Sequence, residues 1–245
     1  MANEIKSPEI DKMDKPFPVW WILILPFYAG GFLALFIFPV AGDWCWLEGW
    51  LYVGSFAIIT GICYWIINQN APRVLRNRAK LKKEGLTAAT KDSAGSDRFI
   101  MPIMGVAFFG AMILPGLAHR FGWPTISLTI EIFGLVLSNL GYIFFNVAIL
   151  QNAYASKLLD INQDQQLVDT GLYGIIRHPL YSGGIVMMLF IPVALGYWLA
   201  LIPAAVAAGT LVLRIKFEEE MLVAGMEGYV DYQERVKYKL IPGIY

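Results

Sequence analysis

Charge is scarce in this chain. Lys, Arg, Asp and Glu make up 16% of its 245 residues, against about 25% in an ordinary soluble domain. The two signs balance to a net charge of zero, so nothing suggests a nucleic-acid partner. Cysteine and histidine are scarcer still, with two of each. Cys45 lies before one apolar block and Cys63 within it. On a continuous helix they stand about 27 Å apart at about 1.5 Å per residue, whereas a disulfide needs Cα atoms within about 7 Å. Neither a disulfide nor a metal site is expected, and the thiols read as small core residues. No G-x-G-x-G turn follows a strand, which excludes a soluble nucleotide-binding fold of the doubly wound type. A cleavable leader is not expected either, because residues 1–16 are polar and of mixed charge and the apolar block after them is too long.

Apolar residues fill the space that charge leaves. They form 57% of the chain, with a mean hydropathy of +0.55, and they are gathered into long uncharged blocks, the signature of transmembrane helices. Residues 16–42 hold a first span near 18–40, and residues 49–72 a second near 47–68. A third covers 99–118, with Pro102, Gly105, Gly110 and Pro115 inside it, and a fourth covers 126–150, with Glu131 near its start. The fifth block, 179–213, has no charged residue over 35 positions. As one helix it measures about 52 Å, against a hydrocarbon core of about 30 Å. It is therefore predicted to fold into a hairpin about Gly196-Tyr197-Trp198, with arms of about 16 residues that Pro192 and Pro203 kink. The fold class is all-α: a polytopic membrane bundle of about six crossings. Eight Trp and twelve Tyr suit its two aromatic belts.

Basic residues set the orientation. Arg73, Arg76, Arg78, Lys80, Lys82, Lys83, Lys91 and Arg98 crowd one polar loop, and Lys6, Lys12 and Lys15 precede the first span. Lys157 and Arg177 precede the hairpin; Arg214, Lys216, Arg235, Lys237 and Lys239 follow it. The loop 41–48 has no Lys or Arg and the loop 119–125 has only Arg120. Both termini are expected on the cytoplasmic side. The chain divides into an N-terminal two-span region with its basic loop, 1–98, and a core, 99–245, whose candidate site lies at 165–183 and 214–240.

The hairpin has a chemical consequence. It returns the chain to the face it left, so Arg177 and His178 on one side of it meet Glu218, Glu219 and Glu220 on the other. Ionisable groups at the edge of lipid are functional candidates. On the fourth span Asn139, Tyr142 and Asn146 share one helix face, with Gln151 and Asn152 beyond them. A ligand suited to this face carries an ammonium for Glu218 or Glu219, a carboxylate for His178, Arg177 or backbone N–H groups, and an aromatic part for Tyr173, Tyr181 or Phe217. Many zwitterions meet that description, S-adenosylmethionine among them. The same residues also admit plainer roles. Arg177 and the glutamates can be interfacial anchors, Arg214 and Glu218 have the spacing of a helical ion pair, Asn139 and Asn146 can join helices, and His119 is expected to be solvated.

Two motifs carry a resemblance. The first, L-V-x-x-G-x-Y-x-x-x-R-H-P-x-Y-x-G, is Leu167, Val168, Gly171, Tyr173, Arg177, His178, Pro179, Tyr181 and Gly183. The second, E-E-x-x-L…Y-x-x-Y-x-x-R-V…I-P, is Glu218, Glu219, Leu222, Tyr229, Tyr232, Arg235, Val236, Ile241 and Pro242. With a hairpin between them they resemble the isoprenylcysteine carboxyl methyltransferase family, within the wider group of phospholipid methyltransferases, over about residues 130–245. The resemblance implies an integral-membrane enzyme that uses S-adenosyl-L-methionine and takes a lipophilic acceptor from the bilayer. It implies a cofactor site at Leu167, Val168, Gly171, Tyr173, His178, Pro179, Tyr181, Glu218 and Glu219. Arg177, His178 and Glu218 are the candidate catalytic residues, and Asn139, Tyr142 and Asn146 the candidate acceptor contacts. One departure is that Gln165-Gln166 stand where many members have a histidine. Sterol-type NADPH reductases share an R-H-P-x-Y element, but Leu180 stands where they usually have asparagine. A non-enzymatic membrane binding protein is the third possibility by class.

Overall fold

The computed structural model describes residues 15–76, 97–152 and 167–245. Most of the basic loop, the termini before Lys15, and Gln165-Gln166 lie outside the described residues. The helices with both ends among the described residues are α1 Val19–Ala41, α2 Leu47–Asn70, α3 Asp97–Arg120, α4 Leu128–Gln151, α5 Pro179–Ala194, α6 Leu201–Gly225 and α7 Tyr229–Arg235, and residues 72–76 are helical as well. Among the described residues there is no strand. Five helices are long and apolar enough to cross a membrane, and α5 is a shorter apolar one. The protein is a polytopic helical membrane bundle.

The four predicted spans coincide with α1 to α4 within two residues at nearly every boundary, because an uncharged run long enough to cross lipid has helix as its only single-segment solution. The fifth block forms the expected hairpin, turning through Leu195–Ala200 with Gly196 at φ 84°. Its arms are unequal, however. α5 has 16 residues and α6 has 25. Sequence hydropathy ends at Arg214, but Lys216, Glu218, Glu219, Glu220, Met221, Leu222 and Ala224 beyond it are strong helix formers, so the helix continues to Gly225. Pro203 does not kink α6. It occupies the first turn, where its N–H has no intrahelical partner to lose.

Loops at one end of the bundle tie together. The N–H of Ile126 donates to Gly196 O at 2.9 Å, and Asp43 meets His119 Nε2 at 3.0 Å. His119, expected to be solvated, is instead half-buried, in hydrogen-bond contact with Asp43 and stacked on Trp46 at 4.5 Å. That bond and the N–H of Cys45 hold the Asp43 carboxyl below its ordinary value. Cys45 and Cys63 are free thiols, but Cys45, read from the sequence as a core residue, lies exposed in the loop before α2, and Cys63 is half-buried. The opposite end collects the start of α1, the end of α2, the starts of α3 and α5, and the charged end of α6. Asn68 there caps Phe17 through both its N–H and its carbonyl, at 2.8 and 3.1 Å.

The core runs across the whole bundle. Leu33, Ile37, Phe38 and Tyr52 from α1 and α2 form one buried cluster with Met112, Ile191 and Leu195. The most extensive pairing is α4 with α5, and glycine makes it possible. A Cβ on Gly141 would lie 2.6 Å from Met187 N, one on Gly183 2.5 Å from Phe145 N, and one on Gly134 2.7 Å from Ala194 N. Small residues that let backbones meet are the usual adhesive between helices in lipid, where no hydrophobic force draws them together. This contact holds the start of α5 beside the end of α4.

Candidate active site

The site is built where α5 begins. His178 is the N-cap of α5 and Pro179 its first residue, as expected from a proline whose N–H is not needed there. The preceding chain makes a 3-10 turn, Gly171–Gly174. Gln151 at the end of α4 accepts the Leu172 N–H at 2.8 Å, and a Cβ on Gly171 would lie 2.6 Å from that same Gln151 oxygen. Gly171 also has φ 60°, so two constraints require glycine. On the other side Tyr232 of α7 donates to Tyr173 O at 2.7 Å, and Arg235 pairs with Asp169 at 2.7 Å. Burial pushes the Tyr232 phenol up to about 12, so it remains a donor at neutral pH.

Two buried networks converge here. In the first, Glu219 is met by three cationic or hydrogen-bonding groups: Arg177 Nε at 2.7 Å, His178 Nε2 at 3.2 Å and Lys239 Nζ at 2.8 Å. Arg177 is 9% exposed. Its Nη1 also donates to Val236 O and Lys237 O at 2.7 and 2.9 Å, and its backbone N–H to Tyr238 O at 2.9 Å. The His178 N–H donates to Lys239 O at 2.8 Å. The tail after α7 is thus clipped along residues 177–178. These contacts make Glu219 an internal anchor for Arg177 and His178.

In the second network the Tyr181 hydroxyl donates to Glu218 Oε2 and accepts from Arg214 Nη1 at 3.0 Å. The tyrosine ring stacks on His178 at 5.6 Å and 10°. Arg214 and Glu218 had the spacing of a direct ion pair, yet the arginine pairs with Asp97 of α3, at 3.1 Å through both Nε and Nη2. Tyr181 stands between the two.

The polar face of α4 divides. Asn139 Nδ2 donates to Ser55 Oγ at 3.0 Å and Tyr142 bonds Thr60 Oγ1 at 3.0 Å. Both therefore join α4 to α2. Asn146 bonds back to Tyr142 O at 2.8 Å. It also lines an apolar groove of about 190 Å³ with Ile59, Cys63, Ile66, Ile143 and Leu150.

The two sequence motifs are therefore one three-dimensional object: the R-H-P start of α5 and the E-E turn of α6 share a carboxylate, Glu219. Residues 132–224 match the model of the isoprenylcysteine carboxyl methyltransferase (ICMT) family. That stretch is similar to the isoprenylcysteine carboxyl methyltransferase family. It spans α4, the 3-10 turn, α5 and nearly all of α6, and so contains both motif cores. Four solved chains match; one is the eukaryotic intramembrane Ras methyltransferase ICMT without a monobody. It has a TM-score of 0.46 and 19% identity, covering 99% of this chain and 88% of that one. No curated protein matches.

Outside the family region lie Asp97, Tyr232 and Lys239, all bound into the site. Tyr232 belonged to the quoted motif. Lys239 and Asp97 carried no signal, since nothing in the sequence couples Asp97 to an arginine 117 residues away.

Proposed function

We propose that the protein is an integral-membrane, S-adenosyl-L-methionine-dependent methyltransferase acting on a lipophilic acceptor of the prenylcysteine carboxylate type. The site stands at the cytoplasmic interface, with both termini on that side, as the distribution of Lys and Arg supports. One observation carries the reading: the buried networks leave three groups with unspent capacity. Among the described residues Glu218 Oε1, Arg177 Nη2 and His178 Nδ1 have no hydrogen-bond partner. An acceptor for an ammonium thus accompanies an Arg177 N–H that can meet a carboxylate, joined by His178 Nδ1 when the imidazole is protonated, which fits the amino-acid end of S-adenosyl-L-methionine. Leu167, Val168, Gly171, Tyr173, Pro179 and the Tyr181 ring would line the rest of its site.

When bound, the cofactor supplies an electrophilic methyl group on a sulfonium. Glu218 holds the ammonium end, and Arg177 and His178 orient the carboxylate end or an anionic acceptor. A carboxylate acceptor needs no general base, so these residues act through alignment and exclusion of water. An amine acceptor would require proton removal, a role for a glutamate. The aliphatic part of the acceptor lies in the groove at Asn146, whose α2 wall is fixed by Asn139 and Tyr142. The test is methyl transfer from radiolabelled S-adenosyl-L-methionine to a farnesylcysteine analogue by purified protein in detergent. Labelled, base-labile ester is expected. A stable label on membrane lipids instead would redirect the acceptor class, and no transfer to either would refute the proposal.

A further inference from the structure

Glu218 is oriented by a chain of groups that begins outside the family region. Arginine only donates hydrogen bonds and a carboxylate only accepts them. The Tyr181 hydroxyl has one proton, which goes to Glu218 Oε2, so it receives Arg214 Nη1–H in its lone pair. The direction of the chain is thereby fixed. The guanidinium plane is in turn fixed by the two-pronged bond to Asp97, a geometry lysine cannot reproduce. Asp97, Arg214 and Tyr181 are 3%, 4% and 8% exposed, and they come from α3, α6 and α5.

From this arrangement we infer that Asp97 is a positioning residue that keeps Arg214 off Glu218. Arg214 and Glu218 are four apart on one helix, the spacing at which opposite charges pair directly. Removing Asp97 leaves the buried guanidinium charge less compensated, and Glu218 is one hydroxyl away. Direct pairing would neutralise Glu218 and occupy the oxygen left open for a cationic ligand group. Asp97 prevents this by holding Arg214 from the far side. The Tyr181 hydroxyl spaces the two charges and takes Oε2, leaving Oε1 without a hydrogen-bond partner among the described residues. The inference rests on the proposed function, which supplies both the cationic group at Glu218 and the probe, S-adenosylhomocysteine.

The experiment is a double-mutant cycle read by calorimetric binding of S-adenosylhomocysteine to purified protein in detergent, with thermal unfolding in parallel. Asp97→Asn should weaken binding by about tenfold or more, the worth of a hydrogen bond to a charged group. Asp97→Asn with Arg214→Met should bind within about threefold of wild type, because the competing cation is gone and a buried ion pair replaced on both sides is tolerated. A purely structural role would make the double variant no better than the single one, and that result overturns the inference. So does Asp97→Asn binding as wild type does. If Asp97→Asn does not fold, Tyr181→Phe removes only the spacing hydroxyl. It should weaken binding severalfold at nearly unchanged melting temperature, and undiminished affinity overturns the inference. Wild-type protein that binds no S-adenosylhomocysteine overturns the proposed function and this inference with it.

Discussion

Replacing Gly141 by alanine tests whether the α4–α5 contact positions the site. The added Cβ would lie 2.6 Å from Met187 N, 2.9 Å from Gly183 O and 3.0 Å from a Val186 methyl. The first two are backbone atoms of α5 and cannot rotate away. Moving the nearest from 2.6 Å to the 3.4 Å of ordinary contact requires the helices to part by about 0.8 Å. Overpacking of this kind costs about 1–3 kcal/mol, and a rigid backbone neighbour puts it toward the upper end. For a chain of this size each kcal/mol lowers the melting temperature by roughly 2–4 °C, so a fall of roughly 4–10 °C is expected. Gly54 and Gly105 are the controls, since nothing lies within 4 Å of a Cβ on either. Alanine there should hold or raise stability by up to about 1 kcal/mol through helix propensity. The assay is thermal unfolding in detergent together with binding of S-adenosylhomocysteine. Because α5 carries His178 and Tyr181 at its start, binding should fall in Gly141→Ala and not in the controls. Equal melting temperatures for Gly141→Ala and Gly54→Ala would refute the reasoning.

Three further outcomes follow from the site. Glu218→Gln removes the charge that faces a ligand ammonium, and should weaken binding of S-adenosylhomocysteine by about tenfold or more while changing the melting temperature little. Arg177→Ala leaves Glu219 buried with its main partner gone and frees two backbone carbonyls. It should destabilise the protein by about 3–5 kcal/mol and expose the tail after Arg235 to limited proteolysis. Tyr232→Phe removes the hydrogen bond to the Tyr173 carbonyl, at a cost of about 0.5–1.5 kcal/mol, read by thermal unfolding. In the wild type this phenol is raised from an ordinary 10.0 to about 12, first by burial. Its contribution is therefore complete below about pH 10 and is lost as pH rises through about 12. A melting-temperature profile against pH should lose that alkaline limb in Tyr232→Phe.

Much of this was legible before any coordinates. Uncharged length set α1 to α4 and the hairpin, because a chain in lipid must satisfy its backbone within the segment. The hairpin alone brought Arg177 and His178 to the glutamates. What hydropathy could not show was where α6 ends, since Lys, Glu and Met stop the apolar signal without stopping the helix. Nor could spacing show which glutamate is spent. Glu218 and Glu219 are neighbours, but a helix turns about 100° between them, which sends one into the Arg177–His178–Lys239 cluster and the other to Tyr181. The partner of Arg214 illustrates a different limit. Helical spacing pointed to Glu218, and the tertiary fold supplied Asp97. The clip on Arg177 was invisible for a third reason: it is made by the carbonyls of Val236 and Lys237, and backbone acceptors leave no residue signature.

The central claim is that the groups left open around Glu218 and Arg177 form a site for S-adenosyl-L-methionine. Calorimetric titration of the purified protein in detergent with S-adenosylhomocysteine and, separately, with NADPH tests it most directly. Binding of S-adenosylhomocysteine at one site per chain, without NADPH binding, is the result expected. Binding of NADPH alone, or of neither, would contradict the account.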